Sequence, residues 1–276
     1  MSKKNTFSPP QLSAEELSKA LYEVTQKLEQ SNRLLQETQQ QKDLLFANIS
    51  HDLRSPVTAI RTSIEYLLSL ENITREELTA SLELMQRRSI YLEHLINDVF
   101  LLSSISANTK KLHMETIPIS FLLEEFFFTV SEDTRFEQRN LYLEVPEDFD
   151  CFVSIDTKMF WRVLDNLFTN ALKYSNENAS ITLGAIKENS RVHIFVTDTG
   201  IGMEEKHLQK IFDTSYMIED ARTPSSSTGT GLGLAIVKAT MESFHGNVWC
   251  ESQVNKGSTF HITLPLVSPP HGYRQA

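Results

Sequence analysis

Apolar residues recur at alternating spacings of three and four along the first part of the chain: Leu17, Leu21, Val24, Leu28 and Leu35, resuming at Leu45 and Ile49. Between Ser13 and Leu45 there is no Pro or Gly, and Gln, Glu, Lys and Leu dominate, which predicts one long helix. The spacing is that of a heptad seam, interrupted by Ser31, Thr38 and Lys42, so the predicted coiled coil is weak at its middle. A solvated amphipathic helix packed on its own domain is the alternative to a dimeric coil. The stripe runs on through Leu53, Val57, Ile60, Ile64 and Leu67; after the polar segment Glu71 to Arg75, a second striped helix is predicted from about Glu76 to Ser104. Such a helical hairpin cannot enclose a core alone, whereas two copies make a four-helix bundle, so a homodimer is expected.

From Ile117 onward the pattern changes. Short β-like runs (LYLEV, ITLGAI, VHIFV, FHITL) alternate with helical stretches near 120–138, 157–174 and 231–245, which predicts an α/β sandwich. Asn189 with Ser190, and Asn255 to Gly257, each separate two strand-like runs, so two hairpins and a mixed or antiparallel sheet are expected. The expected fold is therefore multidomain: an α-helical hairpin with an N-terminal coiled coil, followed by an α/β sandwich.

Composition narrows the function classes. Asp and Glu outnumber Lys and Arg by 36 to 26, a net charge of −10, which argues against nucleic acid or an anionic membrane as a partner held by bulk charge. Any phosphate site must be local. Cys151 and Cys250 are too few for a disulfide framework or a cysteine zinc site and read as ordinary core residues of a reducing compartment. No apolar run approaches the roughly 20 residues of a membrane span, and MSKKNTFSPP does not resemble a signal peptide, so a cytoplasmic chain is expected.

Four stretches carry candidate chemistry. In FANISHDLRSPVT, with Ile49, Leu53 and Val57 as the buried stripe, His51 points about 200° away from Ile49 around the helix and should be exposed. A mostly neutral imidazole is available as a nucleophile at cellular pH. Pro56 removes the hydrogen bond to the carbonyl of Asp52 and softens the backbone around His51. Asp52 can accept the Nδ1 proton and leave Nε2 to attack, although side chains at i and i+1 diverge on a helix. A surface His beside a surface Asp and a kinking Pro explains this stretch equally simply.

In NLFTNALKY, Asn166 and Asn170 share one face of a helix for which Asp156 is the predicted N-cap, and Lys173 and Tyr174 extend that side. Amide oxygens suit Mg²⁺, Lys supplies a charge for phosphate and Tyr a ring for stacking. A polar helix face in contact with solvent is the plainer alternative. Asp198-Thr-Gly200-Ile-Gly202 follows a strand, and Gly229-Thr230-Gly231-Leu232-Gly233 opens an apolar helix. Glycines let a backbone approach phosphate, a helix N-terminus favours anions, and Asp198 can accept from an adenine amine. Either cluster alone can be a simple turn, and neither has the spacing of a dinucleotide fingerprint or a P-loop. Between them Asp213 to Thr228 has few residues able to pack and reads as a lid, with Arg222 a candidate for the terminal phosphate and Phe212 and Tyr216 for its anchors.

In this order, SHDLRSPVTAI, NLFTNALKY, DTGIGM and GTGLGL resemble the H, N, G1 and G2 boxes of bacterial sensor histidine kinases, from about Asp43 to Leu266. The resemblance implies a dimerisation and phosphoacceptor hairpin followed by a Bergerat-type ATPase domain. It joins the patterns above in one expected organisation: a disordered N-terminus (1–12), a coiled-coil signalling helix (13–42), the hairpin (43–105), a linker (106–116), the ATP-binding domain (117–267) and a disordered tail (268–276). It further implies ATP and Mg²⁺ as cofactors, with His51 phosphorylated and Asp52 assisting proton removal. Asn170 would hold Mg²⁺ with Asn166 nearby, Lys173 would touch phosphate, Tyr174 would cover the adenine and Asp198 would read its amino group. Gly200, Gly202, Phe212 and the stretch 229–233 would frame the nucleotide and its lid. The implied partners are a second copy of the chain, a response-regulator receiver domain, and an upstream sensor domain or separate sensor protein. Three positions depart from the family pattern: Asp52 stands where Glu is frequent, Ser55 where members with phosphatase activity carry Thr or Asn, and Phe212 is followed three residues on by Ser215, with Tyr216 one further. The rival readings are a Bergerat ATPase of the chaperone or topoisomerase type, which leaves His51 unexplained, and a dimeric scaffold without turnover.

Overall fold

With no Pro or Gly between Ala14 and Pro56, the first helix, α1, runs unbroken from Ala14 to Ser69 and contains that proline. The computed structural model describes residues 14–107, 109–214, 216–218 and 231–270. The expected disordered N-terminus lies outside the described residues, as do most of the expected lid and the end of the expected tail. The chain divides into two compact units, Met1–His51 and Asp52–Ala276. In the first, the seam residues Leu21, Val24, Leu28 and Leu35 are exposed along the helix. Such a stripe is uncovered apolar surface of the kind that marks a contact face.

In the second unit α1 ends at Ser69 and α2 spans Arg75–Ser106. Its start is set by a reciprocal cap: the Thr74 hydroxyl accepts from the Glu77 amide at 3.2 Å, and the Glu77 carboxylate accepts from the Thr74 amide at 3.0 Å. The Thr74 amide, with the Thr74 hydroxyl also donating to the carboxylate at 2.8 Å, holds the Glu77 carboxyl below its ordinary range. The helix starts one residue before the expected Glu76, at a capping box formed by Thr74 and Glu77.

The α/β part opens with β1 (Glu115–Pro118), α3 (Ile119–Ser131) and a 3₁₀ turn at Thr134–Phe136. Then follow β2 (Asn140–Glu144), β3 (Phe152–Ile155) and α4 (Thr157–Lys173). The hairpin of β4 (Ser180–Glu188) and β5 (Arg191–Asp198) leads to a short α5 (Glu205–Leu208). Last come α6 (Gly233–Ser243), β6 (Asn247–Gln253) and β7 (Gly257–Pro265). Five strands form one sheet in the order β2-β4-β5-β7-β6, parallel only between β2 and β4, while β1 and β3 pair as a separate antiparallel ribbon. Both expected hairpins are present, with Asn189 and Asn255 in the left-handed region their turns require. The single helix expected over 120–138 is instead α3 plus the 3₁₀ turn, because the Asp133 side chain accepts from the Arg135 amide and restarts the chain there.

One face of the sheet carries the core. Alternate residues of β4 and β5 (Ile181, Leu183, Ala185; Val192, Ile194, Val196) are buried with Leu164, Leu167 and Phe168 of α4 and Ile236, Val237 and Met241 of α6. Phe126 of α3 stands edge-on to Phe168 at 5.0 Å and to Trp161 at 5.1 Å, which locks α3 to α4. Helix α2 packs on α6, and Asp98 of α2 forms an ion pair with Arg162 of α4. The segment expected as linker is bound along its second half: the His113 amide donates to Asp156 at 3.0 Å, and Lys110 Nζ lies 3.0 Å from Met159 Sδ. Cys151 and Cys250 are buried and unpaired in any disulfide, and burial pushes the Cys250 thiol up to about 12, so both are core residues.

The other face of the sheet holds a run of polar aromatic contacts. His193 Nε2 on β5 meets His261 Nδ1 on β7 at 2.9 Å, His193 Nδ1 meets Glu188 on β4 at 3.1 Å, and Glu251 on β6 lies 4.0 Å from His261 Nε2. Trp249 stacks on His261 at 4.9 Å, and Arg191 on the same face donates to the His245 carbonyl. Burial first, with His193 adding to it, lowers the His261 pKa against the opposing pull of Glu251 and Glu188. The unfolded chain therefore binds a proton at His261 that the folded chain resists, so this contribution to stability is present above the unfolded value and is lost as pH falls from there through the lower folded value. Thermal unfolding followed from about pH 7.5 to 5.5 should show wild type losing more stability than His261→Gln, by a few degrees at most. Parallel losses in the two chains would contradict it.

Candidate active site

Helix α4 is positioned by its cap and its greasy side. Asp156 accepts from the Met159 amide at 3.1 Å, as the sequence predicted, and Met159, Phe160, Val163, Leu164, Leu167, Phe168 and Ala171 are buried. This phase leaves Asn166 and Asn170 half-buried on the opposite side. Asn166 Nδ2 donates to the Arg162 carbonyl at 3.0 Å, which turns Oδ1 the other way. A Cβ built on Gly233 would stand 2.8 Å from that Oδ1, so the amide oxygen packs closely against the start of α6 and a side chain at 233 would have to push it away. Leu232, at the N-cap of α6, is fully buried, with Gly231 just before it. Gly229 and Thr230 lie outside the described residues, and so does Arg222.

The end of α4 meets the loop after β5. Tyr174 caps the helix, its amide donating to the Asn170 carbonyl at 3.0 Å, and its own carbonyl accepts from the Ile201 amide at 2.9 Å. Lys173 Nζ sits 4.9 Å from the centre of the Tyr174 ring, a cation–π contact that parks the ammonium over the aromatic face. Asp198 ends β5 and is 5% exposed. Burial raises its pKa, while the Gly200 and Ser258 amides oppose the rise by donating to the carboxylate. The Gly200 bond is 2.8 Å long. A carboxylate has about four lone-pair sites, so two remain for an incoming donor. Gly200 itself is required by space: a Cβ there would lie 2.2 Å from the Tyr174 carbonyl oxygen and 2.7 Å from Asp198. Gly202 follows, half-buried, and Met203 N donates to Ser252 Oγ at 2.8 Å, which pins the loop to β6.

Asp198, Gly200, Gly202, Tyr174, Lys173, Asn170, Asn166, Leu232 and Gly233 thus lie on contiguous elements, the end of β5, the α4 face and the start of α6. An Asn side-chain oxygen at the start of α6 and a buried carboxylate with acceptor capacity at the end of β5 are groups that suit a hard cation and a nucleotide. Phe212 is buried and stands edge-on to Phe260 at 6.5 Å, so it packs into the core beneath the site. Tyr216 Oη is 2.7 Å from His207 Nδ1, a tether between α5 and the segment that follows it.

On α1, His51 is exposed and Ile49 is buried as expected, but the rest of the expected stripe is not covered: Leu53 is half-buried and Val57 is 51% exposed. Asp52 is half-buried, Ser55 exposed and Pro56 buried. Two residues that pin the site had no sequence signal: Ser252, which accepts from Met203, and Ser258, whose amide donates to Asp198. Each acts across a long stretch of chain, where periodicity carries no information.

Both parts of the chain have relatives among known proteins. Residues 41–108 match the His Kinase A (phospho-acceptor) domain, and residues 155–268 match the histidine kinase-, DNA gyrase B- and HSP90-like ATPase domain. The sensor histidine kinase WalK of Bacillus subtilis is 33% identical over 251 residues, which is 89% of this chain and 39% of that protein. The adaptive-response sensory kinase SasA of Synechocystis is 29% identical over 233 residues, 82% of this chain and 59% of that one. The chain therefore spans about two fifths to three fifths of the length of these relatives. The fold is shared with the histidine kinase AdeS of Acinetobacter baumannii, at a TM-score of 0.61 and 20% identity over 79% of this chain and 98% of that one. It is shared too with the histidine kinase ThkA solved with its response regulator TrrA, at a TM-score of 0.58 and 23% identity over 89% of this chain and 66% of that one. Among the described residues no helix is long and apolar enough to cross a membrane.

Proposed function

Since the chain belongs to the sensor histidine kinase family, with a phosphoacceptor domain followed by an ATPase domain, we propose that it moves the γ-phosphate of ATP onto His51 and then onto an aspartate of a receiver domain. The observation that carries this is the pairing in one chain of an exposed His51 within the phosphoacceptor match and a buried, solvent-poor Asp198 among the Asn, Lys and glycine residues of the ATPase match.

In this reading the adenine amine donates to Asp198, Tyr174 covers the base, and Lys173 leaves the Tyr174 ring to reach phosphate. Asn170, with Asn166 beside it, offers amide oxygens to Mg²⁺, which when bound neutralises charge on the phosphates. Gly200, Gly202, Gly231, Leu232 and Gly233 let backbone come close to the nucleotide; Gly229, Thr230 and Arg222 belong to the same reading. His51 Nε2 attacks the γ-phosphorus, the bond from phosphorus to the β–γ bridging oxygen breaks, and ADP leaves. Asp52 takes the Nδ1 proton. The ring is then a neutral phosphoimidazole, a reactive donor to a carboxylate. Ser55 has a hydroxyl able to orient water for a separate phosphatase step, hydrolysis of the receiver's phosphoaspartate to free phosphate. The active form is a homodimer through the hairpin and the exposed α1 stripe, cytoplasmic, and driven by an upstream sensor domain or a separate sensor protein.

The direct test is incubation with γ-labelled ATP and Mg²⁺. The expected product is protein-bound label that is lost in acid and kept in alkali, and that passes to an added receiver domain. Steady phosphate release with no bound label would point to an ATPase of the chaperone type instead.

A further inference from the structure

The C-terminal turn of α4 is where the proposed adenine and phosphate contacts, Tyr174 and Lys173, leave the helix. The last carbonyls of a helix have no partner within it, and α4 closes only one of these through the Tyr174 amide. Most of the remaining grip comes from a residue far away in sequence. Arg139, just before β2, donates from one terminal nitrogen to the Ser175 carbonyl at 3.0 Å and to the Leu172 carbonyl at 3.5 Å, and from Nε to Ser175 Oγ at 3.2 Å. A cation at this end of a helix also complements its dipole.

The guanidinium is itself held. Its second terminal nitrogen donates to the Gln138 carbonyl at 3.2 Å. The backbone on either side is stitched to the turn after α4: Asn178 N donates to the Gln138 carbonyl at 2.8 Å and Asn140 N to the Ala179 carbonyl at 3.0 Å. Arg139 therefore joins one rigid strand end to the two residues that flank Lys173 and Tyr174. The peptide between its two carbonyl partners is the one whose Tyr174 oxygen accepts from Ile201 and leaves no room for a Cβ on Gly200.

We propose that Arg139 is a positioning residue for nucleotide binding: by gripping Leu172 and Ser175 it fixes the turn that carries Lys173 and Tyr174 against the Asp198–Gly202 loop. It touches no nucleotide atom and acts through α4. The inference rests on the nucleotide site proposed above.

The test uses the whole chain with Arg139→Ala and Arg139→Lys, read by autophosphorylation kinetics and by binding of a fluorescent ATP analogue. Loss of charge-assisted bonds to the turn should raise KM for ATP about tenfold while kcat stays within about threefold, because chemistry at the γ-phosphate is untouched. Arg139→Lys, able to reach only one acceptor at a time, should fall between. Added guanidinium ion should restore affinity in Arg139→Ala and leave wild type unchanged, a response that general loosening of the domain does not give. An unaltered KM in Arg139→Ala overturns the proposal; if that variant does not fold, an unaltered KM in Arg139→Lys does so. Asp198→Asn separates the two levels of the argument. If it binds the analogue as wild type does, the nucleotide site is misassigned; if it abolishes binding while Arg139→Ala has no effect, only the positioning role fails.

Discussion

A His51→Gln chain is expected to acquire no stable label from γ-labelled ATP while binding ATP as wild type does. Gln keeps a polar side chain of similar reach but has no nucleophilic nitrogen, since its amide lone pair is delocalised. Position 51 is exposed on a long helix, and Gln is at least as good a helix former as His, so the substitution should change stability by no more than about 0.5 kcal/mol. Loss of label with nucleotide affinity and melting temperature unchanged therefore isolates the chemical step. Gel autoradiography after an alkaline quench reads it directly. Label at wild-type level in His51→Gln would place the acceptor elsewhere and sink the kinase reading for this residue.

Gly200→Ala is the second large effect, and its cause is steric. The added methyl would stand 2.2 Å from the Tyr174 carbonyl oxygen, which is already the acceptor for Ile201, and 2.7 Å from the Asp198 carboxylate. Neither neighbour is the free end of a flexible chain: one is backbone and the other is buried and held by two amides. Relief must come from moving the loop away from α4, which separates Asp198 from Tyr174. Overpacking of this kind costs about 1–3 kcal/mol, so ATP affinity should fall roughly 10- to 100-fold, with a lower melting temperature. Titration with a fluorescent nucleotide analogue checks it, and wild-type affinity in Gly200→Ala would mean that the loop has slack its packing does not display.

Much of the architecture was legible because it repeats locally. The three-and-four stripe through Ile49, Leu53 and Ile60 predicted α1, and the polar break at Glu71 to Arg75 predicted the turn before α2. Asn189 and Asn255 marked both hairpins because few residues accept a left-handed backbone. The two-stranded β1–β3 ribbon and the four-residue α5 were not foreseen: each is too short for a periodicity to register, and β1 and β3 are defined only by pairing with each other. Residue 133 ended the third helix early for a reason just as local, an Asp side chain competing for the Arg135 amide.

For the candidate site, sequence by itself determined the residue types and their order: an exposed His on a helix, two amides four apart, an Asp at a strand end and two glycine clusters. Those are short-range properties, set by helical phase and by which side chains tolerate a turn. Tertiary structure alone decided which atoms face each other. That Asn166 Oδ1 meets the start of α6 at Gly233, that Ser258 joins Gly200 at the Asp198 carboxylate, and that Arg139 holds the end of α4 all depend on strand order and helix packing. Those contacts bring together residues as far as 67 positions apart, where the chain's local periodicity has no memory and only closure of a shared core fixes the distance.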